Sequence, residues 1–157
     1  IVRLGISMYG LSPDINFMGS SENLGLLPAM TLKSEIHLVK EVPENSAVGY
    51  GGIARTQSKT KLAIITLGYS DGIPRNTSNK AGVFVAGKRA PIIGRVSMDQ
   101  FAVDLGPDSK AESGDWVTVI GEEFDCYKWA KACQTITYEI TTRIGPRITR
   151  RYIPSER

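Results

Sequence analysis

The sequence predicts a mainly β domain, a barrel or a sandwich, carrying one or two short helices. Three observations predict it. Short runs alternate apolar and polar residues at the period of a strand. Turn signals built from Gly, Pro, Asn and Asp recur about every 10 residues. A clear helical pattern is confined to the stretch around residues 125–135.

The elements follow in chain order. Val2, Leu4, Ile6 and Met8 fall on one side of a segment that reads as a strand. Arg3 lies inside that segment, and a buried arginine needs a partner. From Leu11 to Pro28 the pattern dissolves into Ser, Pro, Asp, Asn and Gly. This reads as a connector and divides residues 1–28 from a main domain over 29–157. Leu32, Ser34, Ile36 and Leu38 then alternate with Lys33, Glu35, His37 and Val39 as a strand, followed by a turn over Glu41–Asn45. Lys61–Leu67 is a continuous apolar run, read as a buried strand. Gly82–Gly94 reads as a hairpin turning near Gly87. Val96–Leu105 and Asp115–Gly121 are further strands. Asp125 can N-cap a helix whose apolar face is Trp129, Ala132 and Cys133 and which runs to about Thr135. A second helical turn covers Tyr138–Arg143 and ends at Gly145-Pro146. Arg143 to Arg151, with Ile, Pro and Thr between the arginines, reads as a strand with a charged face.

Bulk properties exclude several classes. The 157 residues make one domain, or one domain plus a remnant of another, long enough to bury a core. A hydrophobic share of 41% and a charged share of 22% are those of a soluble globular protein. A net charge of +3, mostly dispersed, is too small to imply nucleic acid. No apolar run approaches the ~20 residues of a membrane-spanning helix. No secretory leader is present, and Ile1 opens directly into structured sequence, so the chain is expected to be the C-terminal piece of a longer protein. Cys126 and Cys133 stand about 10.5 Å apart along a helix axis, too far for a disulfide. Free thiols suggest a cytoplasmic setting. The single histidine, His37, has no cysteine or acidic cluster to make a zinc site or a Ser-His-Asp triad. No phosphate loop or dinucleotide fingerprint is found, and no metal is expected.

Two tyrosines stand out, in Val48-Gly49-Tyr50-Gly51-Gly52 and Leu67-Gly68-Tyr69-Ser70-Asp71-Gly72. Flanking glycines permit positive φ and strip away neighbouring side chains, so each phenol can project from its loop. Each is a candidate acid–base group or simply a hairpin turn capped by a half-buried ring. Asp71 more often caps a turn than catalyses, and Asp99 reads as a strand-end residue.

Taken together, Val2-Arg3-Leu4-Gly5-Ile6-Ser7-Met8-Tyr9-Gly10, Val48-Gly49-Tyr50-Gly51, Leu67-Gly68-Tyr69-Ser70-Asp71-Gly72, Gly94-Arg95-Val96-Ser97-Met98-Asp99-Gln100 and Ile136-Thr137-Tyr138-Glu139-Ile140 resemble alanine racemase, in that family's order and spacing. The resemblance is to its C-terminal β-domain, preceded by the tail of its N-terminal (β/α) barrel. It implies a fold-type III pyridoxal 5′-phosphate enzyme whose cofactor is bound covalently by a barrel lysine. That lysine's motif is missing from these residues, so the piece alone is expected to be inactive. Racemisation takes a proton from one face of Cα and returns one to the other, most simply with two bases. The resemblance makes Tyr50 one base and the barrel lysine the other, with Arg95 a possible contributor to the phenolate. It gives Arg3 to the cofactor's ring nitrogen, and Gly5, Ile6 and Tyr138 to its phosphate. It sets the Met98 backbone against the substrate carboxylate, and Tyr69, Arg75, Arg95 and Asp99 along the entry corridor and inner gate. It implies a cytoplasmic homodimer in which Tyr50 reaches the partner's active site, making D-alanine for peptidoglycan from a small amino-acid substrate. A serine or broad-specificity racemase shares these motifs, and a β-domain kept as a non-catalytic interaction module remains a third reading.

Overall fold

Six antiparallel strands close into a barrel in the computed structural model, which describes residues 1–13, 25–122 and 125–153. The strands are β1 (Leu32–Val42), β2 (Ala47–Val48), β3 (Ala54–Arg55), β4 (Thr60–Ile65), β5 (Gly82–Val85), β6 (Lys88–Ile93), β7 (Phe101–Asp104) and β8 (Trp116–Ile120). The barrel runs β1-β4-β7-β6-β5-β8, and β2 and β3 form a separate ribbon. Two helices follow, α1 (Cys126–Cys133) and α2 (Thr137–Arg143). The mainly β expectation, with two short helices, is met by a closed barrel.

Each strand's burial explains its sequence. Along β1, Leu32, Ser34 and Ile36 are buried between exposed Lys33, Glu35 and His37. The expected alternation breaks after Ile36, where the register with β4 shifts, and Leu38 emerges 49% exposed. A bulge there swaps the two faces. The strand also continues through Val42, so the turn begins later than its sequence suggests. On β4, Ala63 and Ile65 enter the main core, whereas Leu62 and Ile64 join a second cluster with Val48, Ala102 and Ile93. Both faces are covered, which is why this strand is a continuous apolar run. The hairpin of β5 and β6 turns on Ala86 and Gly87, at φ 48° and 75°. Positive φ at both central residues is the turn whose twist matches paired strands.

The helix α1 starts as expected. The Asp125 carboxylate accepts the Lys128 N–H at 2.9 Å, and Gln134, at φ 57°, ends the helix. Trp129 is buried, and its Nε1–H donates to the Val119 carbonyl at 2.7 Å. The Tyr127 hydroxyl accepts the Ser12 N–H at 2.5 Å, tying the N-terminal segment to this helix.

Three expectations are corrected. Val2–Met8 is not a strand: Gly5–Tyr9 is a 3-10 turn, bounded by left-handed Gly5 (φ 58°) and Gly10 (φ 70°). Its alternation has no partner strand, so Ile6 is buried while Val2, Leu4 and Met8 stay exposed, and Arg3 is on the surface. Only Phe101–Asp104 of the stretch Val96–Leu105 is strand, because the Ser97 N–H closes a turn onto the Gln100 carbonyl at 2.8 Å. Residues 144–151 are not strand either. The Arg150 guanidinium folds back onto the Ile144 carbonyl at 2.7 Å and the Gly145 carbonyl at 3.2 Å, so these carbonyls are satisfied by a side chain rather than a neighbouring strand. Most of the expected connector, residues 14–24, lies outside the described residues.

Strand registers put the loops of interest at one end. Ile65 pairs with Phe101 and with Ile36, and Ala102 pairs with Ile93. The β4–β5 loop (66–81) and the β6–β7 loop (94–100) therefore leave the same rim. The ribbon of β2 and β3 lies outside the wall, over Leu62 and Ala102, with its tip against Gly94.

Trp129→Ala should cost about 3–5 kcal/mol, with the Val119 carbonyl left without its donor, and should lower the urea midpoint of unfolding accordingly. Both cysteines are free and buried. Burial, aided by Asp125, pushes the Cys126 thiol up to about 12, and burial pushes Cys133 up to about 11. The thiolate is the reactive form. At pH 8 the native chain should therefore leave an aromatic disulfide reagent unreduced over a time in which the urea-unfolded chain reacts completely. Rapid native labelling of either thiol would contradict this packing.

Candidate active site

Tyr50 sits at the tip of the ribbon, in a turn that only glycines allow. Gly49 has φ 69° and ψ −175°, and Gly51 has φ 74°. Both values lie where side chains are strained. A Cβ on Gly49 would also lie 3.0 Å from the Arg95 nitrogen, and one on Gly94 would lie 2.7 Å from the Val48 carbonyl oxygen. The ribbon tip and the start of the 94–100 loop thus meet backbone to backbone. Arg95 Nε donates to the Tyr50 carbonyl at 3.1 Å. The arginine expected near the phenol grips the main chain that carries it. The ring itself is 73% exposed, and among the described residues its hydroxyl has no hydrogen-bond partner.

Tyr69 stands on a second, tightly built turn, Tyr69–Asp71. Asp71 does what its sequence context suggests and caps that turn. It is 4% exposed, its Oδ2 accepts the Gly68 N–H at 2.9 Å, and its Oδ1 lies 3.3 Å from Arg147 Nε. The turn is zipped to the neighbouring loop. The Tyr69 N–H donates to the Ser97 carbonyl and the Ser70 N–H to the Met98 carbonyl, each at 3.0 Å. The Ser70 hydroxyl is 2.7 Å from the same Met98 carbonyl and 3.0 Å from Asp99 Oδ1. Arg147 completes the set, its NH1 donating to Ser70 Oγ at 2.7 Å and to Asp99 Oδ1 at 2.9 Å. These hydrogen bonds, Arg147 first and Ser70 next, hold the Asp99 carboxyl below the usual carboxylate range. A Cβ on Gly68 would fall 2.1 Å from the Met98 oxygen, so glycine is required for this approach.

Arg75 opens the next turn, Arg75–Thr77, and is exposed. Its loop holds the 94–96 backbone from the other side. Asn79 Oδ1 accepts the Gly94 N–H at 2.6 Å, and Ser78 Oγ accepts the Val96 N–H at 3.0 Å. Tyr138 lies in the first turn of α2, with its ring partly exposed. Beside it Glu139 is bonded to Thr135 and Arg143, which keep its carboxyl below the ordinary range.

The structure thus brings Tyr50, Arg95, Met98, Asp99, Tyr69 and the Arg75 loop into one connected rim. Among the described residues no hydrogen bond or ion pair joins Arg3, Gly5, Ile6 or Tyr138 to it. The sequence reading missed Arg147, which served only as one of a run of arginines, and Ser70 and Asn79. The available signal was a pair of carboxylates, Asp71 and Asp99, in need of a cation. Among the described residues no group of His, Cys, Asp and Glu could hold a metal ion, and no helix is long and apolar enough to cross a membrane.

Comparison with known proteins meets this geometry. The family model for the alanine racemase C-terminal domain matches residues 29–152. The alanine racemase of Vibrio parahaemolyticus is 43% identical over 151 residues, covering 96% of this chain and 42% of the relative. That of Streptomyces coelicolor is 45% identical over 157 residues, covering 98% of this chain and 40% of the relative. In three dimensions the chain is similar to the alanine racemase of D-cycloserine-producing Streptomyces lavendulae, with a TM-score of 0.91 at 46% identity, covering 96% of this chain and 40% of that one. It is also similar to the Bartonella henselae enzyme with covalently bound pyridoxal phosphate, with a TM-score of 0.83 at 33% identity, covering 95% and 40%. The chain spans about two fifths of the length of these relatives. By the family model over most of its length, and by identity with these relatives, the chain belongs to the alanine racemase family through its C-terminal domain.

Proposed function

We propose that residues 29–157 are the C-terminal β-domain of a cytoplasmic, pyridoxal phosphate-dependent alanine racemase, and that residues 1–28 are the end of its N-terminal barrel and the connector. The enzyme interconverts L- and D-alanine, the latter for peptidoglycan. One observation carries the reading. Tyr50 is presented on a glycine-built tip whose backbone is pinned by Arg95, while its ring is largely exposed and its hydroxyl has no hydrogen-bond partner among the described residues. A rigid main chain and an unpartnered hydroxyl suit a base that works on a molecule held elsewhere.

Pyridoxal phosphate, when bound, withdraws electrons from Cα and so makes its proton removable. The residues expected to meet it fit as a donor set. Gly5 and Ile6 are the first residues of a 3-10 turn, so their N–H groups have no partner inside it. Gly5 has open space around it, and Ile6 is buried and anchors the turn in the core. These two amides and the Tyr138 hydroxyl would hold the phosphate. Arg3 is exposed and permanently charged, and would donate to the ring nitrogen without yielding its proton. The lysine that holds the cofactor belongs, in this reading, to the N-terminal barrel.

Tyr50 takes or returns the proton on one face of Cα, and the barrel lysine serves the other. A phenolate base needs cations or hydrogen-bond donors nearby. Arg95 Nε donates to the Tyr50 carbonyl, its charge remains beside the tyrosine, and further donors come from the surface on which Tyr50 docks. That surface belongs to the partner subunit of a homodimer. Ile53, Met98 and Ile136, all exposed apolar side chains, supply buried area for it.

In the full-length protein, Tyr50→Phe should lower racemisation in both directions by about a hundredfold or more. Solvent deuterium should still enter Cα of the enantiomer facing the lysine and should fail to enter the other. Wild-type rates in both directions would remove Tyr50 from the mechanism. Residues 1–157 supplied with pyridoxal phosphate should show no turnover, and measurable racemisation by them alone would refute the division of labour.

A further inference from the structure

The residue that holds Tyr50 is itself held, on both sides and from one place. Arg95 Nε donates to the Tyr50 carbonyl at 3.1 Å. The two chain neighbours of Arg95 each give their N–H to the segment 78–79. The Gly94 N–H donates to Asn79 Oδ1 at 2.6 Å, and the Val96 N–H to Ser78 Oγ at 3.0 Å. The Ser78 hydroxyl donates its own proton to the Arg75 carbonyl at 2.6 Å. A hydroxyl has one proton to give, so this bond leaves only lone pairs facing Val96.

These two side chains form a shelf with firm supports. Thr77 is fully buried, and its carbonyl accepts the N–H groups of Lys80 and Ala81 at 2.9 and 3.1 Å. The Ala81 carbonyl in turn accepts the Ile92 N–H of β6 at 3.0 Å. Asn76 Nδ2 donates to the Cys133 carbonyl at 2.8 Å and ties the same turn to α1. Asn79 has φ 60°, a left-handed backbone that asparagine tolerates better than most side chains. The barrel wall and a helix thus fix the shelf, and the shelf fixes the main chain of residues 94–96.

The ribbon that carries Tyr50 has fewer supports. Each of its strands has two residues, and Val48 is its buried anchor. Beyond Val48 the tip leans on the same main chain, since a Cβ on Gly49 would lie 3.0 Å from the Arg95 nitrogen. Where Arg95 stands therefore decides where Tyr50 stands.

We propose that Asn79 and Ser78 are positioning residues for Tyr50, acting through Arg95, and that they set the direction from which its phenol reaches Cα of the substrate. The proposal rests on the reading of Tyr50 as a base. It adds two residues that no hydrogen bond joins to Tyr50 itself among the described residues.

The test uses the full-length protein and its Asn79→Gly, Asn79→Asp, Ser78→Ala and Tyr50→Phe variants. Glycine accepts a positive φ without strain, so Asn79→Gly removes the acceptor and little else, whereas aspartate keeps an acceptor in its place. Asn79→Gly should lower kcat about tenfold in both directions with KM within about twofold, as expected of a base displaced by a fraction of an ångström. The isotope effect with Cα-deuterated alanine should rise for the enantiomer that Tyr50 deprotonates and not for the one that the lysine deprotonates. Amide exchange should accelerate in the peptide spanning Ala47–Arg55 and stay unchanged in the one spanning Gly68–Asp71. Ser78→Ala should shift both readouts the same way, and Asn79→Asp should restore most of each. Added to Tyr50→Phe, Asn79→Gly should lower the rate no further, since residues that act as one unit are not additive. Full additivity would overturn the proposal, as would isotope effects that change equally for the two enantiomers. Equal losses in the glycine and aspartate variants that follow a fall in Tm would also overturn it, and so would wild-type kcat in Asn79→Gly while Tyr50→Phe is crippled. If Tyr50→Phe itself racemises at the wild-type rate, the base reading fails instead, and amide exchange across Ala47–Arg55 still decides whether the shelf holds the tip.

Discussion

Backbone packed against backbone is the constraint on which the rim depends. At Gly68 and at the Gly49 and Gly94 pair, one main chain lies where another residue's Cβ would be. Such contacts leave no side chain to adjust, so the relative position of the loops is set by covalent geometry and a few hydrogen bonds. That is a stiffer arrangement than side-chain packing provides, since rotamers can hop and main-chain carbonyls at 3 Å cannot. The glycines cost conformational entropy on folding. Here the cost is offset by placing Tyr50, Tyr69 and Met98 on one rigid frame.

The barrel makes that frame possible. A closed sheet has no edges, so its rim loops start from fixed points. The ribbon of β2 and β3 has only two residues in each strand, and a two-stranded hairpin is marginal alone. It is held because β4 and β7 offer an apolar outer face, Leu62, Ile64 and Ala102, against which Val48 packs. The second cluster is small, yet it decides where Tyr50 stands. A sequence feature with a plain structural reading, the unbroken apolar run of β4, is therefore also what carries the candidate base.

Much of this was legible in the sequence, and what was not has physical causes. Period-two burial identified β1 up to Ile36, and the turn near Gly87 was readable because a glycine follows a small residue between alternating strands. Asp125 announced its helix. The failures came where alternation had no partner. Val2–Met8 has the pattern of a strand, but pairing is a non-local fact, and Gly5 and Gly10 take left-handed φ and fold the segment into a turn. The arginines of 143–151 look like one face of a strand, whereas Arg150 turns back on carbonyls of its own segment and Arg147 binds Asp71 and Asp99, far earlier in the chain. The ordered motifs pointed to Tyr50, Tyr69, Met98 and Asp99 as candidates, and the rim unites them. They did not point to Arg147, because Asp99 lies 48 residues before it and only the fold reveals that one cation serves two carboxylates.

Hydrogen bonding distinguishes how the main chains of the two glycine-flanked tyrosines are held. The groups that follow Tyr69 are held by a side-chain network, Asp71 on Gly68 and Arg147, and Ser70 on Met98, Asp99 and Arg147. Such a turn fixes the main chain from which the ring projects, while the Tyr69 hydroxyl itself has no hydrogen-bond partner among the described residues. Tyr50 is held by fewer contacts, with Arg95 on its carbonyl and glycines on either side, and its phenol too has no partner within the described residues. Both rings are thus presented from a fixed main chain with an unpartnered hydroxyl, and the choice of Tyr50 as the proposed base rests on the ordered motifs.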